Sequence, residues 1–285
     1  MTTTDVRSGG PYESTARADR ALLGSTEPGA TERNAATLRA AARKGQLSCA
    51  YQTIVHLGGG GVVGAEALVR WQHPTLGAVP PDAFVADAEA SGVVSTIGAF
   101  VLEVACRDAT LWPDGPDGPL ELWVNVSPVQ LADGDFVEDV DRALSSSGLD
   151  ASRLVLELTE TSARLDLDRA CIGLERLRAQ GIRVALDDVG SGYSSLLRLV
   201  RLPVEMVKIE RELVAGVLDG HHAAAVVRAL VALAGALEMR AVAEGVETRE
   251  QVDRLLELGC AYGQGFYFGR PQGAAALARA LPQPD

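Results

Sequence analysis

Short apolar, β-branched runs alternate with longer segments of helical periodicity from Leu47 to the end of the chain. In the longer segments apolar residues recur every three or four positions, which predicts amphipathic helices. The predicted strands are residues 47–56, 62–69, 120–126, 153–158, 183–187, 206–210, 240–243 and 262–268, and the predicted helices are residues 32–44, 81–90, 97–111, 135–146, 168–180, 223–237 and 249–258. Such alternation is typical of α/β proteins, in which helices cover a largely parallel sheet.

Eight strands with helices between most of them predict a TIM-like (β/α)8 barrel. An open doubly wound sheet is the alternative that this pattern leaves open. The first two strands are joined only by residues 57–61. Because a parallel crossover needs about a dozen residues or more, these two strands are expected to form an antiparallel hairpin. The sequence therefore predicts an α/β barrel with one antiparallel strand.

Residues 1–32 differ in composition from the rest of the chain. Thr, Ser, Gly, Glu and Arg are frequent there, and large apolar side chains are few. Because such a segment cannot bury enough apolar surface to offset the entropy of ordering, we expect a disordered N-terminal tail. Residues 33–285 are expected to form one domain.

The net charge and the cysteines indicate which partners the protein does not bind and which compartment it occupies. Lys and Arg number 26 and Asp and Glu 38, a formal net charge of −12, which argues against a basic surface for DNA or RNA. The four cysteines lack metal-binding spacing, and no apolar run reaches the ~18 residues of a membrane span or resembles a secretory signal. We expect a cytoplasmic protein that does not enter a membrane.

A polar or ionisable residue lies within or ends almost every predicted strand. These residues are Glu66, Asn125, Glu157, Asp187, Asp188, Lys208, Glu244 and Gln264. In a barrel such positions converge on one mouth, where the active sites of this architecture lie. Unpaired buried carboxylates are costly, so this set needs cations, and oxygen ligands favour Mg²⁺ or Mn²⁺ over zinc. The pattern predicts a two-metal phosphate-ester hydrolase.

A buried salt-bridge network is the alternative interpretation of these acids, although Lys208 is the only basic residue within those strand cores. Asp187 and Asp188 are adjacent and would face opposite sides of a continuing strand. We therefore expect the strand to end there, at the break that Gly190 and Gly192 supply.

Several ordered motifs resemble the EAL-domain family of cyclic di-GMP phosphodiesterases. Residues 66–71 read EALVRW, 125–131 NVSPVQL, 157–161 ELTET, 187–196 DDVGSGYSSL, 208–210 KIE, 243–248 AEGVET and 264–265 QG. The resemblance runs from about residue 33 to about residue 275. It implies a barrel with one antiparallel strand, which hydrolyses cyclic di-GMP to linear pGpG.

The resemblance also implies roles for individual residues. One Mg²⁺ or Mn²⁺ would be held by Glu66, Asn125, Glu157 and Asp187, and a second by Asp187, Asp188 and Glu244. Glu244 is also a candidate base, and Lys208 and Gln264 would position the attacking water. Glu66, Asp188, Lys208 and Glu244 are the candidate catalytic residues. Gln52, Arg70 and Gln264 would contact the substrate. Glu160 and the loop of residues 189–195, which contains Ser191, would couple a homodimer interface to the metals, with Glu247 in support.

The chain departs from the family pattern at Thr53, Val189, Ser191 and Glu210, where Pro, Phe, Thr and Asp are usual. The extra methylene of Glu210 moves a carboxylate by roughly 1 Å, and misplacements of that size can lower a rate about 10²-fold. The alternative function is therefore a receptor that binds cyclic di-GMP and cleaves it weakly or not at all. A third hypothesis is a barrel that serves only as a scaffold for a protein partner.

Overall fold

The computed structural model describes residues 30–59, 61–115, 118–159, 167–190, 199, 201–219 and 221–281. The first helix begins at Ala30, two residues before its predicted start. The predicted tail otherwise lies outside the described residues and stays a prediction.

The described strands form one sheet that closes on itself. Their order is β1-β9-β8-β7-β6-β5-β4-β2-β3, and an additional pairing joins β1 to β2. Strand β1 is antiparallel to β9, whereas the pairs from β9 through to β2 are parallel, so the barrel prediction with one reversed strand is confirmed. The strands are β1 Leu47–His56, β2 Val62–His73, β3 Gly77–Val79, β4 Glu121–Val126, β5 Leu154–Thr159, β6 Arg183–Val189, β7 Met206–Ile209, β8 Arg240–Ala243 and β9 Tyr262–Gln264.

Helices follow most of the parallel strands, as the periodicity predicts. They are α1 Ala30–Arg43, α2 Val85–Ala90, α3 Val94–Ala109, α4 Pro128–Ala132, α5 Phe136–Ser147, α6 Leu167–Arg178, α7 Arg211–Ala215, α8 His221–Ala236, α9 Arg249–Glu257 and α10 Ala274–Ala280, with 3₁₀ turns at Pro81–Ala83 and Ala151–Arg153. The short helices α4, α7 and α10 were not predicted, because five to seven residues carry too little periodicity to register. Local capping gives α4 its start, since Ser127 and Gln130 form a reciprocal capping box.

Two-residue alternation stacks the barrel interior in layers. The central layer is apolar and consists of Ile54, Trp123, Val155, Ala185, Met206 and Val242. Two positions further along the parallel strands stand the polar residues Asn125, Glu157, Asp187, Lys208 and Glu244. Two positions before the apolar residues stand Glu121, Arg183 and Arg240. One apolar layer therefore separates two polar layers at opposite ends of the barrel.

In the layer at the amino ends of the strands, one buried acid is paired with two arginines. The buried Glu121 carboxylate accepts hydrogen bonds from Trp123 Nε1 at 3.0 Å, from Arg183 at 2.6 Å and from Arg240 at 2.8 Å. The Arg240 guanidinium also lies 4.6 Å from the centroid of the Tyr262 ring. Such a satisfied network is what a structural plug requires, and it contrasts with the acidic layer at the other end.

The chain divides into two compact units. Of the described residues, one unit comprises those up to Ser48 and Arg70–Ile97, and the other comprises those of Cys49–Val69 and those from Gly98 onward. In the first unit, Trp71 is buried edge-to-face against Phe84, and Asn34 donates a hydrogen bond to Asp87. The second unit contains the apolar barrel layer. Among the described helices, none combines the length and the apolar character that a membrane crossing requires.

Candidate active site

One lysine lies among four acidic side chains at the carboxyl ends of the barrel strands. Lys208 Nζ is 3.2 Å from Glu66 Oε2, 2.9 Å from Glu157 Oε2, 2.5 Å from Glu244 Oε1 and 3.9 Å from Asp187 Oδ1. The lysine side chain is 1% exposed. Among the described residues of this cluster, negative charge therefore exceeds positive charge in a region nearly closed to water.

Two amide side chains complete the polar contacts of Glu66. Asn125 Nδ2 donates to Glu66 Oε1, and Gln264 Nε2 donates to Glu66 Oε2 at 2.7 Å. Gln264 also donates to Gln52 Oε1 at 3.2 Å, and Gln52 Nε2 donates to the carbonyl oxygen of Gly269 at 3.2 Å. These hydrogen bonds fix the orientation of Glu66 and connect it to the rim of the barrel.

A local irregularity brings the adjacent carboxylates Asp187 and Asp188 together. Strand β6 continues to Val189 instead of ending at Asp187, but its pairing with β7 shifts register between Leu186 and Val189. Asp188 has a φ of +57°, in the left-handed region that Asp tolerates better than most residues. Ligand oxygens of Asp187, Asp188 and Glu244 consequently lie within 4.8 Å of one another. The strand does not end at Asp187 as predicted, but the irregular pairing still brings both carboxylates to one site.

Burial and mutual repulsion set the protonation of this cluster. Burial first, and then the neighbouring Glu66 carboxylate, raise the pKa of Glu157 well above its usual range. Burial likewise raises the pKa of Asp187, and it raises that of Glu244 to about 7. For Glu66, burial is outweighed by Lys208 and by the donors Gln264 and Asn125, so its pKa is lowered. The surrounding carboxylates outweigh burial at Lys208 and raise its pKa.

The donor chemistry fits divalent cations. Glu157 is fully buried, and its Oε1 has no hydrogen-bond partner, although buried polar atoms are normally satisfied. A cation between the acids would satisfy that oxygen and offset the repulsion that raises the carboxyl pKa values. The set consists of carboxylates and an amide, the ligands that Mg²⁺ and Mn²⁺ prefer.

The cluster opens into a cleft of about 210 Å³. Gln52, Glu66, Glu244, Glu247 and Gln264 line it, together with Arg211, Gly245, Gly265 and Phe266. Five of the residues predicted from the sequence therefore line the same cleft. Arg70 belongs to the other compact unit, so its substrate contact stays a prediction. Glu160 and Ser191 lie outside the described residues.

The sequence analysis assigned no role in the site to three of the lining residues, Arg211, Gly245 and Phe266. Gly245 has a φ of +67°, and a Cβ there would collide with Cγ of Arg211. A glycine directly after the strand-end carboxylate Glu244 was the available signal for a close approach. Arg211 NH2 donates to Glu247 Oε1 at 2.8 Å, which connects the residue after Glu210 to the segment that follows strand β8.

This fold and site define a member of a known family. The family model of the EAL domain matches residues 35–271, and the chain belongs to that family. Individual proteins are similar to this chain over a comparable number of residues. The bifunctional diguanylate cyclase/cyclic di-GMP phosphodiesterase MucR of Pseudomonas aeruginosa is 42% identical over 240 residues, which cover 84% of this chain and 35% of MucR. Cyclic di-GMP phosphodiesterase NbdA of the same organism is 39% identical over 244 residues, which cover 86% of this chain and 31% of NbdA.

The chain therefore spans about a third of the length of these curated relatives. Solved structures of EAL-domain proteins are similar to this chain as well. PaMucR phosphodiesterase in complex with c-di-GMP has a TM-score of 0.79 and 41% identity, with 86% of this chain and 99% of that chain covered. The EAL domain of Mycobacterium smegmatis DcpA has a TM-score of 0.70 and 34% identity, with 83% and 96% covered.

Glu210 stands at the N-cap of helix α7, with φ −52° and ψ 140°, and its side chain makes no capping hydrogen bond. Asp is a strongly preferred N-cap, because its shorter side chain reaches the exposed N–H groups of the first turn. We expect Glu210→Asp to raise the free energy of unfolding by about 0.5–1 kcal/mol. Thermal unfolding checks this, with Glu212→Asp in the same turn as the control. Equal melting temperatures for both variants and the wild type would contradict the capping argument.

Proposed function

We propose that the chain is a metal-dependent phosphodiesterase that hydrolyses cyclic di-GMP to linear pGpG and so lowers the level of this second messenger. The observation that carries the proposal is the excess of buried carboxylates around Lys208, with an unpartnered oxygen on Glu157. An arrangement selected for stability alone would give each buried acid basic partners, as Arg183 and Arg240 do for Glu121 at the other end of the barrel.

Each residue of the mouth has a proposed role. Glu66, Asn125, Glu157 and Asp187 would hold one Mg²⁺ or Mn²⁺, and Asp187, Asp188 and Glu244 a second. When bound, two such ions would lower the pKa of a water and would neutralise charge on a phosphodiester oxygen. Lys208 and Gln264 orient groups around Glu66, as their hydrogen bonds to it indicate. Glu244 is also the proposed base for the attacking water.

The choice of a cyclic dinucleotide as substrate has two supports. The relatives MucR and NbdA carry cyclic di-GMP phosphodiesterase in their names, and PaMucR was solved with c-di-GMP. Phe266 lines the cleft and is 44% exposed, with the Arg270 guanidinium 4.2 Å from its ring centroid, and we propose that the ring face opposite Arg270 stacks on a nucleobase. Gln52 and Arg70 are proposed as further substrate contacts.

The test is incubation of the full chain with cyclic di-GMP in Mg²⁺, in Mn²⁺ and in chelator, with chromatographic separation of products. Metal-dependent formation of pGpG is the expected result. Binding of the nucleotide without product would favour the receptor, and Glu210→Asp would then show whether that methylene blocks turnover. Absence of both binding and product would overturn the proposal.

A homodimer in the cytoplasm is the proposed working form. It rests on the family resemblance, since the assigned coupling residues Glu160 and Ser191 lie outside the described part of the chain. Light scattering coupled to size exclusion tests it: a mass near twice 29.9 kDa supports a dimer, and a mass equal to one chain refutes it.

A further inference from the structure

Arg211 is the one basic side chain among the described residues that line the cleft. Glu66, Glu244 and Glu247 line it as well, so the described lining is acidic. The proposed substrate carries two phosphodiester groups, each with a negative charge. Cations held by the acids at the strand ends would neutralise the phosphate that reacts. The second phosphate needs a donor elsewhere, because an anion next to uncompensated carboxylates is repelled.

The position of Arg211 is fixed by its surroundings. It begins helix α7 (Arg211–Ala215), and only Glu210 separates it from the strand that carries Lys208. Its aliphatic part packs over Gly245, where an added Cβ would collide with Cβ, Cγ and Cδ of the arginine. The glycine therefore makes room for the arginine stem beside Glu244. The stem is held in place while the head group stays accessible.

The guanidinium is available for a ligand. Its side chain is 64% exposed, and NH2 donates to Glu247 Oε1 at 2.8 Å. A guanidinium has five N–H donors, and this hydrogen bond uses one of them. Arginine binds phosphate oxygens through paired N–H groups, and such charge-assisted hydrogen bonds are about twice as strong as neutral ones. An exposed surface ion pair by itself contributes little to stability, so stability does not account for the placement.

We propose that Arg211 is a specificity-determining residue that binds the non-reacting phosphate of a cyclic dinucleotide, with Glu247 holding its guanidinium in position. This inference rests on the proposed function. It separates recognition of a two-phosphate substrate from the chemistry at Glu66, Asp187 and Glu244, which needs only one phosphate. Loss of Arg211 therefore lowers affinity for the dinucleotide and leaves hydrolysis of a single phosphodiester unchanged.

The experiment compares wild type, Arg211→Ala and Arg211→Lys on two substrates in Mn²⁺. The substrates are cyclic di-GMP and bis(p-nitrophenyl) phosphate, which has a single phosphodiester. For Arg211→Ala we expect KM for cyclic di-GMP to rise about tenfold or more, with kcat within about twofold. Activity on bis(p-nitrophenyl) phosphate should stay unchanged, and Arg211→Lys should recover part of the affinity. Calorimetric Kd values for cyclic di-GMP in Ca²⁺ provide a readout independent of turnover.

A matched control is Arg142→Ala, which removes a 68% exposed arginine paired with Asp139 on helix α5. It should change neither substrate's kinetics. Equal losses of Arg211→Ala on both substrates would overturn the proposal and assign Arg211 a structural role beside Gly245. An unchanged KM and Kd for cyclic di-GMP would overturn it as well. Failure of the proposed function has a different signature, because the wild type itself would then neither hydrolyse nor bind the dinucleotide.

Discussion

Replacement of Asp187 by Asn is expected to lower kcat for cyclic di-GMP hydrolysis by at least about 10³-fold, while the protein stays folded. Asp187 is shared between the two proposed ion sites, and its oxygens lie within 4.8 Å of those of Asp188 and Glu244. Asn keeps the shape but loses the charge that holds a cation, and ions of this kind contribute several kcal/mol to catalysis. Glu66→Ala is expected to have the same effect on turnover, measured by pGpG formation.

Glu121→Gln is the control for charge removal from a buried acid. Glu121 lies in strand β4 at the opposite end of the barrel, where it accepts hydrogen bonds from Arg183, Arg240 and Trp123. We expect this variant to lose about 1–3 kcal/mol of stability and to keep its kcat. If Asp187→Asn retained the wild-type rate, the assignment of the strand-end acids to metal-assisted hydrolysis would be wrong.

The second large effect is expected for Lys208→Met. Lys208 is fully buried and contacts Glu66, Glu157 and Glu244. Removal of one partner from a buried ionic cluster costs about 3–5 kcal/mol, because the remaining charges are left uncompensated. In chelator, the melting temperature should fall by roughly 10 °C. Millimolar Mn²⁺ should recover much of the loss, since a ligand that binds only the folded state stabilises it.

The chain offers a close control, because its other lysine is the exposed Lys44. Lys44→Met should change the free energy of unfolding by less than about 0.5 kcal/mol, with or without Mn²⁺. A Lys208→Met protein as stable in chelator as Lys44→Met would refute the electrostatic argument. If the melting temperature of Lys208→Met did not respond to Mn²⁺, the proposal that Lys208 and the ions share one site would be wrong.

The sequence predicted the barrel because its two periodicities are strong. The turn of residues 57–61 is too short for any crossover, so the reversed strand followed from length alone. The meeting of Glu66, Asn125, Glu157, Lys208 and Glu244 followed from their places near strand ends. The two-residue spacing from apolar residues such as Trp123 and Val155 puts Asn125 and Glu157 in the next interior layer.

What escaped the sequence depends on contacts between distant segments. The register shift at Asp187 and Asp188 is a property of the pairing of β6 with β7, and a glycine after the pair predicted a strand end instead. Arg211 follows Glu210 in a short helix, and only the fold brings it against Gly245 and Glu247. The pairing of Glu121 with two arginines was missed for the same reason, since Arg183 and Arg240 start strands that are distant in sequence.

The number of divalent ions bound per chain tests the central claim most directly. Equilibrium dialysis of the full chain against Mn²⁺ measures that number without any assumption about turnover. The account predicts two ions for the wild type and fewer for Asp187→Asn, with Glu121→Gln unchanged. Absence of bound Mn²⁺ in the wild type, or the same number in wild type and Asp187→Asn, would contradict it.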